Sequence, residues 1–137
     1  MRLFRPLPAV LILLCALALG ACSSKEADTA LITAPAVGDV YAAQLSEFSG
    51  YGFTDEDGKD IDPAYGLMKV VALEDSGVVV ITENHALSSQ TQSRKDLRGD
   101  MTDVVFDENE RIAIAPADLR KAYDDGLIYA VRRPSAP

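Results

Sequence analysis

The chain has 137 residues, with 21 acidic side chains against 13 Lys and Arg and a formal charge of −8. That balance argues against nucleic-acid binding, because phosphate recognition draws on patches of Lys and Arg. One histidine and two cysteines give little support for a transition-metal centre.

Arg2 and Arg5 precede an uncharged run from Ala9 to Gly20. At about 1.5 Å per residue, a helix of that length reaches only some 18 Å, short of a hydrocarbon core about 30 Å thick. A basic start, a short apolar stretch and small residues before a processing site make an export signal rather than a membrane span. The run ends in Leu19-Gly20-Ala21-Cys22, which resembles the lipobox of bacterial lipoproteins at each position. The resemblance implies that residues 1–21 are a signal peptide removed before Cys22. It also implies that the Cys22 sulfur carries diacylglycerol and that the new amino terminus is acylated. No other cofactor is expected. Ser23, standing where an Asp would signal inner-membrane retention, implies an outer-membrane anchor facing the periplasm. Cys15 falls in the removed segment, so the mature domain has no disulfide and must rest on an apolar core.

Removing Arg2 and Arg5 leaves the mature chain at −10. So acidic a domain gains nothing from an anionic bilayer, and attachment falls to the lipid. A basic protein partner is favoured electrostatically. Residues 22–37, rich in Ser, Ala, Thr and Pro, read as the lipidated terminus and a flexible tether. The folded domain is expected over 38–133, with 134–137 as a tail.

Val40 to Leu45 predicts a first strand whose Tyr41, Ala43 and Leu45 face is the consistently apolar one. A long connection follows, from Ser46 to Ala64, carrying Phe48, Tyr51 and Phe53 and the acids Asp55, Glu56, Asp57, Asp60 and Asp62. Loops of this length are usually functional, and Phe48, Tyr51, Phe53, Asp55, Asp57 and Asp60 are the candidate partner-binding residues. Counted as an EF-hand from Asp55, the loop puts Lys59 at a ligand position and Gly66 where a bidentate Glu belongs, so no metal site is assigned. Asp57-Gly58 is equally good hairpin-turn chemistry.

Tyr65 to Leu73 and Val78 to Thr82, joined through Glu74-Asp75-Ser76-Gly77, predict a β-hairpin covered on both faces. Glu83 to Asp103 is polar and without evident period, with Arg94, Lys95 and Arg98 as its basic cluster and His85 as a loop histidine. Glu110 to Ala115 predicts another strand. Pro116 suits the first turn of a helix with Leu119, Ala122 and Tyr123 as its apolar stripe, stopped at Gly126. Leu127 to Val131 is the last strand.

A long loop after the first strand and a helix before the last resemble the element order of small SH3-like barrels. The expected fold is therefore mainly β with one short C-terminal helix. An open antiparallel α+β sheet with that helix packed on it is the alternative. Gly38-Asp39-Val40-Tyr41 with Tyr65-Gly66-Leu67-Met68-Lys69-Val70 also resembles the opening strands of some small bacterial toxin-immunity proteins. The preferred function is a non-enzymatic, membrane-anchored domain that binds a protein or envelope component. An immunity lipoprotein is one alternative, and a carboxylate hydrolase using Asp57 and Asp60 or Glu83 is another.

Overall fold

A computed structural model describes residues 24–134. Residues 1–23, on which the expected signal peptide and the expected lipidation at Cys22 fall, and residues 135–137 lie outside the described residues. Five strands form one antiparallel sheet: β1 (Val40–Gln44), β2 (Tyr65–Glu74), β3 (Gly77–Thr82), β4 (Ile112–Ile114) and β5 (Ile128–Arg132), in the order β4-β3-β2-β1-β5. The helices are α1 (24–33), α2 (Gln90–Arg98) and α3 (Pro116–Asp124).

The sheet does not close. Among the described residues, β4 pairs only with β3, and β5 only with β1. The SH3-like barrel is therefore corrected to its alternative, the open α+β sheet. The strands read as covered on both faces, and helices provide that cover in place of a barrel wall. Ile32 of α1 and Leu119 and Ala122 of α3 join Tyr41, Met68, Val70, Val80 and Ile128 in the main core. Leu97 of α2 joins Val40, Ala42 and Leu67 on the opposite face. β1, expected to bury one side, has Val40, Tyr41, Ala42 and Ala43 all buried, because Ile32, Leu119 and Ala122 cover one of its faces and Leu97 the other.

The central hairpin forms as its sequence predicts. Glu74 pairs with Gly77, whose φ of 135° suits glycine. A Cβ there would come within 2.1 Å of the Ile114 carbonyl oxygen, so the turn also needs glycine for space. α3 begins at Pro116 with Leu119 and Ala122 buried, and Gly126 follows it at φ 79°.

Two helices depart from expectation. Residues 24–33, read as part of a tether, are helical, and Ile32 is only 3% exposed. Leu31 and Ile32 are too few to show a period, but docking on α3 supplies what propensity does not. Arg133 then brackets the corner between α1 and β1. Its Nε and Nη2 donate to the two carboxylate oxygens of Asp39 at 2.7 and 3.0 Å, and Nη2 donates to the Ala34 carbonyl at 2.9 Å. Asp39 is fully buried and also accepts from the Ala36 N–H. α2, the second departure, stands in the stretch read as polar and irregular.

Candidate functional site

The acidic–aromatic loop divides into parts with different roles. Phe48 and Phe53 are partly buried against the main core, while Tyr51 is 71% exposed. Asp55, Asp57 and Asp60 are exposed on a small hairpin in which Thr54 pairs with Asp60 and Gly58 takes φ 80°. One Asp55 carboxylate oxygen accepts from the Asp57 and Lys59 amides, both at 2.9 Å. That oxygen therefore serves the turn. The loop is also tied down at its start, where Glu110 accepts from the Ser49 hydroxyl and the Gly50 amide. Among the described residues, no group of three or more His, Cys, Asp or Glu is placed to hold a metal ion.

The structure distributes the predicted residues around hollows rather than in one cluster. Tyr51, Phe53 and Asp60 line a depression of about 280 Å³ together with Ser46, Ile61 and Asp62. Asp55 faces a different one, of about 610 Å³, along with Glu56, Asn84, His85 and Leu87. Asp57 lines neither.

The most unusual chemistry lies beside them, at Glu83. β3 runs beside β2 through the pair Met68–Thr82, the Glu83 amide still donates to the Leu67 carbonyl at 2.9 Å, and the chain then turns away, the Asn84 amide donating to the Val105 carbonyl. The chain rejoins β2 at Leu87, which exchanges both backbone bonds with Tyr65. Between these two points the Leu67 amide donates to Glu83 Oε1 at 2.8 Å. A side-chain oxygen thus takes the place of a ladder carbonyl. Gly66 makes room for it, since a Cβ there would come 2.5 Å from the same oxygen and 2.7 Å from Leu45 Cδ1.

Glu83 is 6% exposed. Burial pushes its carboxyl pKa up to about 7, against the lowering effect of the Leu67 amide and with a further rise from Asp96. It lines a hollow of about 310 Å³ that also meets His85, Lys95, Asp96, Asp100 and Asp103. His85 and Leu87 belong both to this hollow and to the one faced by Asp55, so the two form adjoining parts of one groove.

α2 forms one wall. Its Ser89 cap accepts from the Gln92 amide, and Ser93 and Leu97 are its buried residues. The Ser93 hydroxyl hydrogen-bonds the Tyr129 hydroxyl. The Arg94 guanidinium lies 5.0 Å from the Tyr129 ring centroid, and Tyr65 meets that ring edge-on at 6.2 Å. Arg94, assigned to a solvated basic cluster by its sequence context, is thus partly buried, whereas Lys95 and Arg98 stay exposed.

Glu83 entered the sequence reading only as an alternative hydrolase residue, and the groove around it was missed. Its one local signal is a charged residue ending the run Val78 to Thr82. No family profile matches the chain, and neither a curated protein nor a solved structure matches it.

Proposed function

We propose that this chain is a bacterial lipoprotein, anchored through lipid on Cys22 in the outer membrane, whose acidic domain binds a basic protein partner in the envelope without catalysing a reaction. The observation that carries the binding reading is the groove. Asp55 and Glu56 stand on one side of the shared residues His85 and Leu87, and Glu83, Asp96, Asp100 and Asp103 on the other, with Lys95 as the opposing cation. Carboxylates arranged along a concave surface select a partner of opposite charge and speed its encounter. Exposed Tyr51 offers an aromatic contact beside it, the residue type that anchors many interfaces. Of the three carboxylates in the hydrolase reading, Glu83 lines the groove, while Asp57 and Asp60 line neither of its hollows, so that reading lacks its second carboxylate there.

Photo-crosslinking tests the binding. A cross-linking residue at position 56 or 85 of the full-length protein in native envelopes should capture a basic protein. Glu56→Lys combined with Asp103→Lys should abolish that capture. Capture indifferent to charge reversal, or restricted to acidic proteins, would defeat the proposal. The anchor is tested separately: Cys22→Ser should remove the acyl mass and release the protein from the membrane fraction.

A further inference from the structure

We infer that the hollow lined by Glu83 is a binding site for a primary alkylammonium group, the chemistry of a lysine side chain or of a free diamine. The inference rests on the proposed acidic groove and specifies what one half of it holds.

Glu83 is more than nine-tenths buried and lines the hollow, yet only Oε1 is bonded, to the Leu67 amide. Oε2 has no hydrogen bond to any described residue. Oε2 is not among the sealed-off unpartnered atoms of the described residues, so it is accessible, and a ligand donor that enters the hollow can reach it. The other charged and titratable groups around the hollow are Asp96, Asp100, Asp103, Lys95 and His85. One Asp96 oxygen accepts from Gln92, and one Asp100 oxygen accepts from Thr102. Acid therefore outnumbers base, and carboxylate oxygens remain for a cation.

Ammonium is preferred to guanidinium because Oε1 is already shared with the Leu67 amide, which leaves Oε2 as the one Glu83 oxygen free of bonds among the described residues. An ammonium is a compact point charge with three rotatable donors and can meet Oε2 together with a neighbouring aspartate. Leu87, Met101, Val104 and Val105 give the hollow apolar lining suited to the methylene stem. Since burial holds the Glu83 carboxyl near pH 7, binding should displace a proton and tighten between pH 5 and pH 8.

The test is an amide NMR titration of the full chain in detergent micelles with n-butylammonium. n-Butanol and butylguanidinium serve as controls, and Nα-acetyl-lysine methylamide and putrescine as the two source arms. Saturable shifts are expected at Leu67, Glu83 and Val105. Glu83→Gln, which keeps the shape and the bond from Leu67, should weaken binding at least ten-fold. Asp103→Asn, at an exposed position, should weaken it about two- to three-fold as a second, structurally mild variant. Tighter binding of the lysine derivative identifies a protein side chain as the source, and tighter binding of putrescine a free diamine. Equal shifts with butanol, or a Glu83→Gln protein that binds as well as the parent, overturn the inference. A charge-dependent cross-linked partner indifferent to Glu83→Gln overturns it while leaving the proposed function standing. Alkylammonium binding with no basic partner captured does the reverse.

Discussion

The two faces of the sheet are built on different terms. One is dry: α1 and α3 close over Tyr41, Met68, Val70, Val80 and Ile128, with Leu119 and Ala122 inserted between them. The other, under α2, has a smaller apolar cluster of Val40, Ala42, Leu67 and Leu97. Around that cluster stand Ser93 and Glu83, both buried, and Arg94 against Tyr129. The main core secures the fold through close packing. The α2 face keeps polar groups whose burial opposes stability, and the acidic groove opens there. A five-stranded sheet can carry such a face because its other side holds the larger apolar core.

Truncations should expose the asymmetry. Leu119→Ala, at 1% exposure on the dry face, should cost about 3–4 kcal/mol in chemical denaturation. Leu97→Ala, at 3% exposure under α2, should cost about 2–3 kcal/mol, since the apolar cluster it belongs to is the smaller one. Equal costs would mean that the faces do not differ energetically.

Glu83→Gln should move stability the other way. An acid with a folded pKa of about 7, against 4.5 without burial, holds its proton better in the folded protein. Its stabilising contribution is then full below pH 4.5 and is lost as pH rises towards 7. Glutamine cannot ionise, so the variant should match the parent near pH 4 and exceed it by about 3 kcal/mol at pH 8. Denaturation curves at the two pH values check this, and a variant less stable at pH 8 would contradict the burial argument. Arg94→Met, which keeps much of the stem but loses the cation over Tyr129, should cost about 1 kcal/mol. Smallest of all, Tyr51→Ala should change stability by less than about 0.5 kcal/mol because the side chain is 71% exposed. Its effect should appear in partner capture instead.

The same contrast explains what could be read in the sequence. The β2–β3 hairpin and the α3 stripe announce themselves through β-branched runs, a glycine turn and Leu119, Ala122 and Tyr123 at helical spacing. They build the dry face, where hydrophobic pattern and structure coincide. α2 has Leu97 as its one large apolar residue and buries Ser93 beside it, so no apolar period marks the helix. The signals present were the Ser89 cap and Lys95 and Arg98 in the last turn. The loop from Phe48 to Asp62 was legible as a turn-rich acidic segment, but not the inward packing of Phe48 and Phe53 that leaves Tyr51 outside. Glu83 was least legible. Its role depends on a break in pairing between Glu83 and Leu87, and such a gap arises from three-dimensional register rather than from residue type.

The bracket formed by Arg133 has a mechanical consequence. If the chain is held ahead of residue 24 and a partner at Glu83, as proposed, tension must pass the Ala34–Arg133–Asp39 corner before it reaches β1. β1 pairs with β2 from Val40–Lys69 to Gln44–Tyr65, and Leu67, which is bonded to Glu83, faces Ala42 in the middle of that ladder. A load between the corner and Glu83 is then shared in shear by the pairs from Val40–Lys69 to Ala42–Leu67 instead of peeling them one after another.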